Sequence, residues 1–175
     1  MRFYFSILLL FSVTILSNAQ SVGKASLGLE VGFPTGSGTE GVQTGYGGSF
    51  RYEGKISNNV NWLASVGYLH FPISQSMYGF TVTGSGNFVP IAVGVKYYPE
   101  GGFNGFYFGT DLGITPVSVK VDINGSGITG GGSGSENKFA VSPGMGYHFK
   151  GFDITFRYNL LSDSNYFGLR GGIVF

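Results

Sequence analysis

The sequence predicts an all-β protein, an eight-stranded antiparallel up-and-down transmembrane β-barrel that follows a cleaved signal peptide. Three observations lead there. The first twenty residues have the form of an export signal. The rest of the chain alternates apolar and polar residues with a period of two in eight segments. The first six connections between those segments alternate between long and short, and the seventh, Leu161 to Asn165, is short.

The signal comes first. Residues 1–20 read MRFYFSILLLFSVTILSNAQ. Arg2 is a minimal positive start, Phe3 to Leu16 is mostly apolar, and Ser17-Asn18-Ala19 puts small residues where a signal peptidase reads. A membrane-spanning helix needs about 20 apolar residues, and this run is shorter. Cleavage is expected between Ala19 and Gln20, leaving one barrel domain over residues 20–175. Loss of Arg2 reduces the 10 basic residues to nine, equal to the 9 acidic ones.

Composition agrees with strands. The chain holds 32 Gly, 17 Phe and 11 Tyr. Gly is unfavourable inside helices by roughly 1 kcal/mol against Ala, whereas aromatic residues suit strands. A balanced charge carries no footprint for nucleic acid, so no such partner is expected. With 0 Cys there is no disulfide, no thiolate metal site, no cysteine nucleophile and no lipid-modified cysteine.

Strand one is expected over Gly23 to Phe33, with Ala25, Leu27, Leu29, Val31 and Phe33 on one face and Lys24, Ser26, Gly28 and Glu30 on the other. Strand two, Tyr46 to Lys55, sets Tyr46, Phe50 and Tyr52 against Ser49, Arg51, Glu53 and Lys55. Strand three runs from Val60 to Leu69 and strand four from Phe88 to Tyr98, where Lys96 lies opposite Val93, Val95 and Tyr97. In strand five, Gly105 to Ile114, Asp111 opposes Phe106, Phe108, Leu112 and Ile114. Strand six, Lys138 to Phe149, carries Lys138 and His148 on its polar face. Strand seven, Asp153 to Leu160, carries Asp153 and Arg157. Strand eight, Tyr166 to Phe175, carries Arg170.

In each strand with more than one charge, all the charges share one parity. The uncharged face is bulky and the charged face is rich in Gly, Ser and Ala. A soluble barrel would turn its bulky residues inward. A narrow eight-stranded interior admits small residues and a few long ones, so bulky-out and small-plus-charged-in is the membrane arrangement. Links after strands two, four and six are short. Those over Pro34–Gly45, His70–Asn87 and Thr115–Asn137 are expected as three long exposed loops, the last containing a flexible Gly/Ser run. Both termini then lie on the periplasmic side.

The final residues, YFGLRGGIVF, place Phe167, Leu169, Ile173 and Phe175 on one face. This resembles the C-terminal signal by which the barrel-assembly machinery recognises outer-membrane barrels. VPIAVGVKYYP and GFYFGTDLGI are similar to strands of the outer-membrane β-barrel domain family, which includes OmpA- and OmpX-like proteins. The resemblance covers the whole mature chain. It implies architecture, residence in the outer membrane of a Gram-negative bacterium and contact with its lipid, and specifies no activity. No periplasmic domain is expected after the barrel, so peptidoglycan binding is not implied.

No catalytic, cofactor or metal site is expected. His70 and His148 are the two histidines, and both read as polar residues at strand ends. The charges on the inner face, Glu30, Arg51, Glu53, Lys96, Asp111, Arg157 and Arg170, are expected to pair as a plug, because an unpaired charge in a narrow interior is costly. Glu30 is expected beside Arg51 or Arg170. The expected role is structural or surface-interacting, with an extracellular ligand or protein at the loops. A lipid-modifying enzyme or a narrow pore is the alternative.

Overall fold

The computed structural model describes residues 23–36, 39–77, 80–125 and 128–175. The expected signal peptide and its cleavage point at Ala19 and Gln20 lie outside the described residues. Nine strands follow in order: β1 (Gly23–Thr35), β2 (Gly45–Lys55), β3 (Val60–Met77), β4 (Phe80–Phe88), β5 (Ile91–Tyr97), β6 (Gly105–Gly125), β7 (Ile128–Phe149), β8 (Phe152–Leu161) and β9 (Asn165–Val174). All pair antiparallel. Pairing of β1 with β9 and of β2 with β3 closes the sheet into a ring.

The ring has eight staves, because β4 and β5 are two parts of one. The lower half of β3, Val60 to Val66, pairs with β5 and its upper half, Leu69 to Met77, with β4. β6 divides in the same way. The expected single strand from Phe88 to Tyr98 is interrupted at Val89-Pro90, since Pro90 has no N–H to give to the ladder. Its carbonyl still accepts from Gly67 N at 2.9 Å, and Val89 N donates to Pro116 O at 2.9 Å, so the stave holds its place.

Turns at the end that carries Gly23 and Phe175, here the terminal end, are short. The tightest joins β7 to β8 through Lys150 and Gly151, with φ of 40° and 86°. Two successive positive φ values define the hairpin turn whose twist matches its flanking strands.

Around the middle of the ring the outer surface is apolar. Leu29, Val93, Ile154 and Ile173 are 78%, 65%, 59% and 60% exposed. Inward positions hold the buried polar groups. Lys55 departs from the expected inner face. It lies at the end of β2, exposed to solvent, and bonds Asn58 Oδ1 at 3.3 Å.

Two of the expected long loops are strands instead. His70–Met77 and Phe80–Asn87 form most of the β3–β4 hairpin, and Thr115–Gly125 and Ile128–Asn137 extend β6 and β7, taking in the described part of the Gly/Ser run expected to be flexible. Together β3, β4, β6 and β7 stand above the other staves as a four-stranded wall. Its polarity is reversed relative to the barrel. In β6, Phe106, Phe108, Leu112 and Ile114 point outward, but higher up Val117 and Val119 pack inward while Ser118, Lys120 and Asp122 face solvent. In β3 the outward series Trp62, Val66, Tyr68 gives way to Ser74 and Ser76, while Leu69 and Phe71 are buried inside. The backbone alternates without a break and only the apolar side changes. That is the pattern of a sheet passing from lipid into water.

Candidate functional site

The interior is the most highly organised part of the molecule. It is stacked in three levels between the terminal end and the hairpin end.

At the middle level Glu30, from β1, is the hub. Its Oε1 lies 3.0 Å from Arg157 Nη2, 3.2 Å from Arg51 Nη2 and 3.8 Å from Arg170 Nε. Ser49 donates to it at 2.7 Å and accepts from Arg170 Nε at 2.9 Å. Register explains the convergence. Glu30 is the direct partner of Arg170 across the β1–β9 closure, and Ser49 and Arg51 sit on β2 alongside. Arg157 reaches across to Asp111 at 2.7 Å. The Arg170 guanidinium lies over the Gly28–Gly172 pair, where a Cβ on Gly28 would meet its Cζ at 2.6 Å.

Below this level Asp153, from β8, is a second hub. It accepts from Lys96 Nζ and Arg170 Nη1, both at 3.3 Å, and from Tyr107 OH at 2.8 Å. Lys96 turns its other side to Glu53 at 2.8 Å, and Asn61 and Tyr98 complete the Glu53 carboxylate at 2.7 and 2.8 Å. Tyr98 lies one residue beyond β5. Burial, then the Glu53 carboxylate beside it, pushes its phenol well above the ordinary tyrosine range and keeps it a donor. Tyr98, Asn61, Tyr107 and His148 are 0%, 0%, 1% and 2% exposed and close the terminal end.

The top level is apolar. Leu69, Phe71, Phe88, Val117, Ala140, Leu161 and Tyr166 form one buried cluster. Phe71 stacks tilted on Phe88 at 4.8 Å, and Tyr166 meets Phe71 edge-on at 5.5 Å.

All seven charges read from the sequence as an inner network, Glu30, Arg51, Glu53, Lys96, Asp111, Arg157 and Arg170, lie inside and are paired. Asp153, which the sequence places on the inner face but not among these seven, joins the network. Its signal was its parity, shared with Arg157. With it the ion-pair network among the described residues holds four acidic groups (Glu30, Glu53, Asp111, Asp153) against four basic ones (Arg51, Lys96, Arg157, Arg170). Two small cavities, of about 20 and 10 Å³, lie among these side chains. The first is roughly the size of one water and the second smaller.

The histidines are separated. His148 is buried at the terminal end, with neither ring nitrogen hydrogen-bonded among the described residues. His70 is on the outer surface, its Nδ1 2.8 Å from Asn87 Oδ1, which also accepts from Tyr68. Phe167, Leu169, Ile173 and Phe175 all face outward, 38%, 44%, 60% and 67% exposed. Among the described residues no group of His, Asp and Glu is placed to hold a metal ion.

The charges outside the plug are sorted by end. Lys24, Lys55, Lys150 and Glu100 lie at the terminal end; Lys120, Lys138, Glu40, Asp122, Glu136 and Asp163 lie at the hairpin end. The terminal end is therefore net basic and the hairpin end net acidic.

No family model matches the chain. No curated protein matches it in sequence. Solved structures do. Ail, the attachment invasion locus protein of Yersinia pestis, superposes with a TM-score of 0.58 at 15% identity over 87% of this chain and 97% of that one. Ail in complex with the heparin analogue sucrose octasulfate gives 0.60 at 16% identity and the same coverage. The N-terminal β-barrel domain of OprF from Pseudomonas aeruginosa gives 0.58 at 13% identity, again over 87% and 97%. With eight staves, short turns at the terminal end and an apolar outer band, the chain has the fold of the small outer-membrane β-barrels.

Proposed function

We propose that the protein is exported, cut between Ala19 and Gln20, and assembled into the outer membrane of a Gram-negative bacterium as a closed barrel. The barrel is an anchor that does not conduct, and it presents the four-stranded wall at the cell surface for interaction. The observation that carries this reading is the filled interior, closed by aromatic and apolar side chains at both ends with balanced ion pairs between. Mobile ions passing through would have to break these buried pairs and leave their charges uncompensated. The outward row Phe167, Leu169, Ile173 and Phe175 supports recognition by the barrel-assembly machinery, and the apolar band supports contact with outer-membrane lipid.

The alternation of short turns and tall hairpins puts the terminal end in the periplasm and the wall outside. Ail is described with a heparin analogue, a polyanion. The hairpin end of this chain is net acidic, so its partner is a different one.

Two measurements test the reading. Intact mass of protein purified from outer membranes is expected to match a chain beginning at Gln20, and recovery of a Met1 form from the soluble periplasm would overturn it. Planar-bilayer recordings are expected to show no discrete openings. Steady ohmic steps at neutral pH would make it a pore.

A further inference from the structure

At the hairpin end the top of the apolar plug is left open as the floor of a cup. The cavity has a volume of about 230 Å³. Phe71, Phe88, Val117 and Tyr166 form its floor, and Val42 and Val119 stand at its sides. Glu136, Lys138 and Asp163 form its rim. These residues come from β3, β4, β6, β7 and β9, from the segment before β2 and from the turn between β8 and β9, so the cup is built by the tertiary fold and not by one loop.

The rim is asymmetric in charge. Lys138 is buried, its side chain 8% exposed, and is already engaged by Glu136 at 2.8 Å, by Ser164 Oγ at 3.2 Å and by Asp163 at 3.9 Å. Glu136 and Asp163 are 61% and 82% exposed, so both carboxylates keep free oxygen lone pairs toward the medium. A newcomer therefore meets two exposed carboxylates and no exposed cation above an aromatic floor. The remaining charges of this end, Glu40, Asp122 and Lys120, leave it net acidic.

Size limits the occupant. Pockets for drug-sized molecules run to about 300–1,000 Å³, so this one takes a single ring or branched aliphatic group. We propose that the cup binds a small amphipathic cation: one aromatic or aliphatic group seated on Phe71, Phe88 and Tyr166, with an ammonium group held at the Glu136–Asp163 rim. The inference rests on the wall meeting the medium. In lipid nanodiscs both ends of the barrel do so, which separates a failure of the cup from a failure of the proposed cellular location.

The experiment uses the whole mature protein in nanodiscs and phenethylammonium as probe, read by saturation-transfer NMR and by amide shifts of the wall. 2-Phenylethanol and phenylacetate serve as the neutral and anionic counterparts, with empty nanodiscs subtracted. Shifts centred on Val117, Val119 and Tyr166 are expected, with the ammonium probe binding more tightly than the alcohol and phenylacetate most weakly. Replacing both rim acids, by Glu136→Gln and Asp163→Asn, is expected to weaken the ammonium probe by about three- to tenfold, in line with exposed ion pairs, and to leave the alcohol unchanged. Asp122→Asn removes one carboxylate charge from the outer side of the wall and is expected to change nothing. Val119→Trp fills the cup and is expected to abolish binding of all three probes. Its folding is checked by heat-modifiable mobility, and the rim variants decide the matter if it fails to fold. Equal affinity for the three probes, preference for phenylacetate, an equal loss with Asp122→Asn, or shifts confined to the apolar band would each overturn the proposal.

Discussion

Glu30 shows what a buried charge does in this barrel. Its carboxylate faces three arginines, and each arginine has a second acceptor, so no charge in the group stands alone. Removing the acid by Glu30→Gln leaves three guanidinium groups around an uncharged amide. Breaking a buried pair from one side costs about 3–5 kcal/mol, and reversible urea unfolding in lipid measures the loss. In a double-mutant cycle, Glu30→Gln with Arg157→Met is expected to cost less than the sum of the two singles, because the pair is coupled. Additive losses would place the two side chains apart. Gly28 is a second sensitive position, since its missing Cβ makes the space that Arg170 fills. Gly28→Ala is expected to cost about 1–3 kcal/mol as overpacking, and less when Arg170 is shortened to Ala in the same chain. An equal cost in both backgrounds would mean that Arg170 does not occupy that space. Glu30, Arg51 and Arg170 could be brought together from sequence because parity and short turns set their level. Asp153 was harder to place, because its partners Lys96 and Arg51 lie on staves distant in sequence.

Whole strands differed in how well they could be read. β1, β2, β8 and β9 keep one apolar face throughout, so period-two reasoning placed them to within one or two residues. β6 was read only to Ile114. Beyond Pro116 its apolar residues move from the outer side to the inner side, and a reading held to one phase ends where the phase changes. The upper part of β7, TGGGSGSEN, has no large apolar residue on either face, so periodicity has nothing to register there. Its strand is held by the β6 ladder from Gly125–Ile128 downward, in a stretch of hairpin whose apolar residues, Ile128 apart, come from the β6 side. The same element-scale view gives a prediction at the β7–β8 turn. Lys150 has a positive φ, which costs a residue with an ordinary side chain about 1 kcal/mol and suits Asn better. Lys150→Asn is therefore expected to raise stability by up to about 1 kcal/mol in urea unfolding, and a loss would contradict the turn geometry.

Taken as a whole, the molecule is a solid pillar in two media. Below, apolar side chains face out and paired charges fill the inside. Above, in the wall, the inside is apolar and the outside polar. The two parts share continuous strands, and the cluster around Phe71, Phe88 and Tyr166 closes the lower one while forming the base of the upper. The sidedness of charge fits this division, with Lys24, Lys55 and Lys150 gathered at the terminal end. Because the chain has 0 Cys, single cysteines can be introduced along one outward row and labelled with a fluorophore. The row Thr81, Thr83, Ser85, Ile91, Val93 and Val95 runs down one stave through β4 and β5. With the protein in bilayers, a lipid-borne nitroxide is expected to quench labels at Ile91, Val93 and Val95 and to spare those at Thr81 and Thr83, while aqueous iodide does the reverse. Lipid quenching that continued undiminished to Thr81, or iodide quenching along the whole row, would contradict the inversion of polarity and the membrane position built on it.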